Sequence, residues 1–464
     1  MSGLPWRRHG AAAIALWLAI GLSAPVLPAQ RMDRARFPAF VDSVVAAAIQ
    51  GGTAAAGVTV AVVLGRDTLV LKPYGYADLE FDVPTPDGAI YEIGSVTKQF
   101  TAAAILLLQA DGKLSVDDDL TRYLPDYPTQ GRHITIRRLL NHTSGIKGYT
   151  EMPEFGAMMT LPLPRDSLVA LFSRQPFDFE PGENEVYNNS AFFLLGLIIE
   201  KASGMSYADF VQQRLFAPIG MSSSRYCDEQ AIQKRRAHGY DTGPRGLIVK
   251  RYLDQTWPYS AGSLCSTAGD LIAWNRALHG GRVLSPASYR EMISPGSLND
   301  GTPIRYGMGI GLTNIAGHRA ISHGGGINGY LSFSAYFPDD DAIMVVLINT
   351  AGPVSPDALT ATFAAALLGD VKAAAVALDR PVSDYAGTYT GVGRGAPTVA
   401  IVSADSTGAL QLAVGKGRPQ RATYLGGDRF ERNNALLIFE RSNGKVTRVR
   451  FDTGGGHYVL TRQP

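Results

Sequence analysis

Two stretches of strand-forming residues, far apart in the chain, constrain the fold most. "GVTVAVVLGRDTLVLKPYGYADLE" (57–80) is rich in β-branched residues and breaks at Gly65-Arg66-Asp67, the pattern of a hairpin. "YLSFSAYFPDDDAIMVVLINT" (330–350) alternates, runs apolar and turns at Pro338-Asp339, which predicts a second antiparallel pair. Helical patterns flank them, "RARFPAFVDSVVAAAIQ" before the first and "SPDALTATFAAALLGD" after the second. An isolated hairpin is marginal in water, so each pair needs a partner and a cover. The expectation is an α+β body in which both ends of the segment build one antiparallel sheet flanked by helices, with a helical subdomain packed beside it.

The middle supplies that subdomain. A helix through "FTAAAILLLQADG" should stop near Gly112; "TIRRLLNHTSGI" reads as a short helix and a turn, and "YNNSAFFLLGLIIEKASG" and "SYADFVQQRLF" as two more helices. "STAGDLIAWNRALHGG" opens with the capping pair Thr267-x-x-Asp270 and closes on glycine. Near residue 380 the pattern changes to short strands and glycine turns, among them "TVAIVSA", "LQLAVG", "RATYLGG", "RFERNNALLIFER", "KVTRVRFD" and "GHYVLTR". Residues 30–375 are read as the main domain and 381–464 as a separate, small all-β domain of barrel type.

The net charge of +2, from 43 basic and 41 acidic side chains, argues against nucleic acid or an anionic membrane as main partner. At the N-terminus, "MSGLPWRRHG", the short apolar run "AAAIALWLAIGL" and the small residue Ala29 make the three-part pattern of a secretory signal peptide over residues 1–29. The run is shorter than the roughly 20 residues of a spanning helix, so the expectation is a secreted or periplasmic protein with no stable membrane insertion after signal removal. Cys227 and Cys265 are the only cysteines; they either pair or stay as buried thiols.

The chemistry begins at "SVTK". A serine hydroxyl needs an adjacent base, and Lys98 follows Ser95 by three positions, on the same side of a helix. The partial positive charge of a helix N-terminus and the apolar surround "AAAILLL" both disfavour an ammonium there and so favour a basic amine. The motif alone is weak. Ser95 or Thr97 suits a helix cap, Lys98 can reach solvent, and Ser442-x-x-Lys445 repeats the spacing across Asn443-Gly444, a hairpin-turn dipeptide.

Partners strengthen it. Tyr187-x-Asn189 stands just before a helix, and His323-Gly324-Gly325 stands beside strands. The ordered set S-x-x-K, Y-x-N, H-x-G resembles the serine β-lactamase and penicillin-binding-protein superfamily, most closely the branch with class C β-lactamases, D-stereospecific peptidases and related esterases. "LLNHTSGI" (139–146) and "AGSLCSTAGDL" (261–271) are similar to that branch too, and the resemblance covers about residues 35 to 370. It implies a β-lactamase/transpeptidase-like fold, and a lipocalin-like β domain behind it, as in some relatives. It also implies roles. Ser95 is acylated, Lys98 and Tyr187 share the proton work, and Asn189 holds a substrate amide or carbonyl and tethers Lys98. His323 lines the opposite wall, Gly325 and Gly326 lie along the bound substrate, and the N–H groups of Ser95 and Gly326 form the oxyanion hole. Read from the residues alone, Asn189, Asn188 or Ser190 suits a helix N-cap, and His142 suits fixing a loop.

The third motif departs from the K-T-G of related enzymes. Histidine is mostly neutral near pH 7, and Gly324 has no hydroxyl, so an ester or uncharged amide is favoured over a β-lactam or a D-alanyl-D-alanine terminus. Arg319 is a candidate to restore the missing charge. "GGGING" (324–329) matches a dinucleotide fingerprint, but strand residues follow it instead of a helix. No metal-ligand spacing occurs, and "DDDL" and "PDDDA" read as solvated turns, so neither metal nor cofactor is expected. The expected function is an exported serine hydrolase that cleaves a small ester, peptide or peptidoglycan-like substrate through an acyl-enzyme on Ser95, as an esterase, a D-amino-acid-type peptidase or a weak β-lactamase. The alternative is a penicillin-recognising sensor that acylates without efficient turnover. Oligomeric state is not legible.

Overall fold

The computed structural model describes residues 31–371, 376–393, 396–432, 435–453 and 456–464. The expected signal peptide, residues 1–29, lies outside them. Both hairpins form as read. Gly57–Leu64 pairs with Asp67–Asp78, and Tyr330–Phe337 with Ala342–Ile348. The two ends of the segment then join, because Gly57–Leu64 also pairs antiparallel with Ala342–Ile348. A seven-stranded sheet results, in the order Gly311–Ile315, His318–Ile327, Tyr330–Phe337, Ala342–Ile348, Gly57–Leu64, Asp67–Asp78, Val83–Pro84.

Alternation along the strand Gly57–Leu64 assigns its two faces. Val58, Val60 and Val62 pack with Phe37, Val41 and Phe363 of the flanking helices Phe37–Ile49 and Pro356–Leu368. Ala61 and Val63 face the larger core of the helical subdomain. Covered on both sides, this strand is almost wholly buried, as its near-continuous apolar sequence requires.

The helix Thr97–Ala110 runs through that larger core with eleven of its residues buried, and ends before Gly112, which takes a left-handed φ of 70°. The helix Asn189–Ser203 packs against it, capped by Asn188, whose side chain accepts from Ala191 N–H. Of the residues that suited that cap, Asn188 takes it, which leaves Asn189 available for other work. Thr267 caps Ala268–His279 as expected. Cys227 and Cys265 form a buried disulfide between the strand Leu264–Ser266 and the residue after Arg225–Tyr226, which settles the question the sequence left open.

The C-terminal region is a nearly closed, all-antiparallel β domain, from Gly387–Gly393 to Gly456–Arg462, around buried Tyr385, Tyr389, Phe430 and Phe439. "RFERNNALLIFER" is two strands, Arg429–Arg432 and Ala435–Ser442, where the sequence reading gave one run. The second S-x-x-K is a hairpin turn, with Asn443 and Gly444 both at positive φ between Ala435–Ser442 and Lys445–Asp452. Among the described residues no single helix is long and apolar enough to cross a membrane.

Candidate active site

Ser95 sits in a tight turn, Gly94–Val96, that feeds directly into the helix Thr97–Ala110. Lys98 therefore follows one turn later, and the fold buries its side chain completely. Its Nζ lies 3.2 Å from Ser95 Oγ, 2.8 Å from Asn189 Oδ1 and 2.9 Å from the carbonyl oxygen of Ala261. It also stands 4.7 Å from the centre of the Tyr187 ring. Ser95, Lys98 and Asn189 are thus joined by hydrogen bonds, with the Tyr187 ring against the Lys98 amine.

Burial holds the Lys98 amine well below the ordinary lysine range, and the charge of Glu151 opposes that shift. The neutral amine fits its surroundings atom for atom. A neutral amine has two N–H donors and one lone pair. The two carbonyl oxygens, from Asn189 and Ala261, take the donors, which leaves the lone pair for the Ser95 hydroxyl. The Ala261 carbonyl is itself fixed. Thr97 Oγ1 accepts from Leu264 N–H at 3.2 Å, and Thr101 Oγ1 donates to Ser260 O at 2.6 Å. Asn189 is fixed from its other end, where Nδ2 donates to Thr150 Oγ1 at 3.1 Å and the Thr150 hydroxyl donates to Glu151 Oε2 at 3.1 Å.

Glycines bring the strand His318–Ile327 against the Ser95 turn. The neighbouring strand Gly311–Ile315 pairs only as far as Ser322, so the edge from His323 to Ile327 is open on that side. Gly94 has φ 49°, and a Cβ there would come within 3.1 Å of the Gly326 backbone. A Cβ at Gly325 would fall 2.1 Å from Ile93 O, so no side chain fits. The result is a cleft of about 170 Å³ lined by Ser95, Asn189, Gly326 and Thr150, with apolar walls from Phe155, Leu253, Pro258 and Ile327. Among the described residues, none of the side chains lining it is cationic.

His323 differs from expectation. Its backbone lies on the open edge, but the imidazole is buried and turned inward. Nδ1–H donates to Gly324 O at 2.6 Å, so Nε2 accepts from the Tyr306 hydroxyl at 2.8 Å. Burial, helped by the proximity of Lys98, pushes it down to about 3, so the ring is neutral across the working range. Its side chain is a support for the wall and offers no charge to a substrate. Arg319 does not supply one either. It pairs with Asp339 at the exposed far end of the strand, 2.7 Å away, because the hairpin turn brings that carboxylate alongside.

Several contributors carried no readable signal in the sequence. A backbone carbonyl such as Ala261 O has none. Tyr306 is one aromatic among many, yet its ring and that of Tyr187 lie tilted against the His142 ring, with centres 4.8 Å and 4.4 Å away. His142, at φ 62°, fixes its loop as expected, with Nδ1 accepting from Asn188 N–H at 3.1 Å. Glu92, three residues before Ser95, is buried and ion-paired with Arg236 at 2.7 Å and with Lys250, which anchors the approach to the nucleophile turn. Thr150 and Glu151 follow "LNHTSGI" in sequence, but only the fold brings them to Asn189. "DDDL" is a set of surface turns: Asp117 pairs with Arg137, and Asp118 with Arg122.

An antiparallel sheet flanked by helices, with Ser95 lining a cleft, a buried lysine hydrogen-bonded to it and a tyrosine ring against that lysine, is the arrangement of serine hydrolases of the β-lactamase/transpeptidase type. A family model described as Beta-lactamase matches residues 45–368, and the chain belongs to that family. The penicillin-binding protein 4* of Bacillus subtilis (strain 168) is 34% identical over 308 residues, covering 63% of this chain and 67% of its own length. A D-aminopeptidase of Brucella anthropi is 29% identical over 309 residues, covering 64% of this chain, and the chain spans only 57% of that enzyme's length. The octameric penicillin-binding protein homologue from Pyrococcus abyssi has the same fold, with a TM-score of 0.64 at 24% identity over 93% of this chain and 100% of that one.

Proposed function

We propose that this chain is an exported serine hydrolase that cleaves an amide or ester through an acyl-enzyme on Ser95, with D-aminopeptidase-like substrates preferred over β-lactams. The observation that carries the reading is the Lys98 amine, buried, with two carbonyl acceptors and one remaining direction, toward Ser95 Oγ 3.2 Å away. Lys98 takes the hydroxyl proton as Ser95 Oγ bonds to the substrate carbonyl carbon. The oxyanion is held by the N–H groups of Ser95 and Gly326, each worth roughly 3 kcal/mol in such a site. The proton then passes by way of Tyr187 to the leaving nitrogen or oxygen as the carbonyl bond to it breaks. Water repeats the sequence on the acyl-enzyme and restores the Ser95 hydroxyl.

Charge supports the substrate class. Among the described residues the cleft has no cationic side chain for a substrate carboxylate, and Glu151 stands at the end of the chain Lys98–Asn189–Thr150–Glu151. An acyl group bearing a free amine and an apolar side chain suits that carboxylate and the Phe155–Leu253 wall. The D-aminopeptidase relative supports the D-configuration. Export is supported by the N-terminal pattern and by the buried Cys227–Cys265 disulfide, a bond typical of oxidising compartments.

D-aminoacyl p-nitroanilides, p-nitrophenyl esters, nitrocefin and D-alanyl-D-alanine peptides, assayed side by side, test this. The first two should be turned over best. Faster turnover of nitrocefin or of the carboxylate-terminated peptides overturns the substrate assignment, and a single burst without turnover overturns the hydrolase reading. Glu151→Gln should lower kcat/KM about tenfold for substrates with a free amine and spare their N-acetylated forms. It should also move the acid limb of the pH–rate profile down. Activity rises with pH as Lys98 loses its proton, and removing a carboxylate that raises the lysine's pKa shifts that rise to lower pH. An unmoved limb removes Glu151 from the electrostatics of Lys98.

A further inference from the structure

The seam between the hydrolase body and the C-terminal β domain lies directly behind Tyr187. The two-residue strand Glu185–Val186 adds to the C-terminal sheet, pairing antiparallel with Gly456–Arg462 so that Gly456 is opposite Val186 and His457 opposite Glu185. The hydrolase body holds the same segment from the other side, where Val186 N–H donates to His142 O at 3.0 Å and Asn188 N–H to His142 Nδ1 at 3.1 Å. Tyr187 is the residue between these ties. A second tie runs parallel. Arg305 donates from Nε to Asp452 Oδ2 at 2.8 Å and from Nη2 to Asp452 O at 2.7 Å, and the next residue, Tyr306, holds His323.

Two groups in this seam have no evident structural reason. Glu185 is 0% and His457 1% exposed, and as directly opposed residues they project to one face of the sheet. Neither carboxylate oxygen of Glu185 and neither ring nitrogen of His457 forms a hydrogen bond to any described residue. Burial pushes Glu185 up to about 8 and His457 downward, so both are mainly neutral near pH 7. Apolar residues would fill this space without the desolvation cost of two polar groups. Features that lower stability beside a working group point to that group's function.

We propose that the C-terminal β domain is a working part of the active site. Its last strand holds Tyr187 in place over Lys98 by strand addition to Glu185–Val186, with Glu185 and His457 as a positioning pair at the joint. The inference rests on the reading of Tyr187 as the proton-transfer residue. The pair touches no reacting atom; it sets the angle at which the Tyr187 segment leaves the sheet.

The experiment uses the full chain and expresses rates per Ser95 titrated with a fluorophosphonate, so that any unfolded fraction drops out. His457→Ala, and independently Asp452→Asn, which loosens the second tie at nearly constant size, should each lower kcat on an amide at least tenfold with KM within about threefold. In a Tyr187→Phe background the same changes should add less than a twofold loss, because there is no hydroxyl left to position. Unchanged kcat in both variants, or an undiminished loss in the Tyr187→Phe background, overturns the inference while leaving the reading of Tyr187 intact. If Tyr187→Phe alone leaves amide turnover unchanged, the reading of Tyr187 falls and the inference falls with it.

Discussion

Ser95→Ala should reduce turnover of every substrate by about 10⁴-fold or more while the protein stays folded. Removing the nucleophile of a covalent mechanism removes the whole first step, and such residues act as a unit, so nothing nearby substitutes for the lost alcohol. The stability effect is small for a separate reason. Ser95 is only partly buried, and its hydroxyl contributes one hydrogen bond, a net contribution of about 1 kcal/mol. In a chain of this size that corresponds to a change in Tm of about 2 °C. Steady-state kinetics and a thermal melt on one preparation check both halves. Residual turnover above about 1% of wild type, shown not to come from contaminating enzyme, would mean that water or another side chain attacks the carbonyl.

Tyr187→Phe should be the second-largest loss, and an uneven one. The ring's surroundings survive the change: the tilted His142 ring at 4.4 Å and Lys98 Nζ at 4.7 Å both pack against the aromatic ring, so the substitution removes an oxygen from a framework that remains packed. What disappears is proton delivery, typically worth 10²–10⁴-fold. An amide nitrogen cannot leave without that proton, whereas p-nitrophenolate can. Turnover of an anilide should therefore fall roughly a hundredfold or more, and acylation by a p-nitrophenyl ester by much less. Equal losses on the two substrates would assign Tyr187 a role other than protonating the leaving group.

Much of this site is legible in one dimension because its chemistry sits on local spacing. Ser95 and Lys98 share a helical turn, Tyr187 and Asn189 flank one helix start, and Gly325 has no side chain because the Ile93 carbonyl comes so close. The sheet was legible for a similar reason: two strong hairpins with helical neighbours have few ways to bury their faces. What stayed hidden depends on contacts across the fold. Ala261 contributes a carbonyl that any residue could supply. His323 reads as a wall residue, yet its ring turns inward because Tyr306, seventeen positions earlier, offers a hydroxyl there. The choice between Asn188 and Asn189 as cap is a one-residue difference that only the backbone decides. The pairing of Glu185–Val186 with a strand some 270 residues later leaves no trace in the composition of either segment.

The most direct test of the central claim is the identity of the covalent intermediate. Acid-quenched turnover of a D-aminoacyl ester, followed by peptide-mapping mass spectrometry, should show one acyl adduct, on the oxygen of Ser95, that disappears as substrate is exhausted. An adduct on any other residue, or sustained turnover with no adduct at any quench time, would contradict the account.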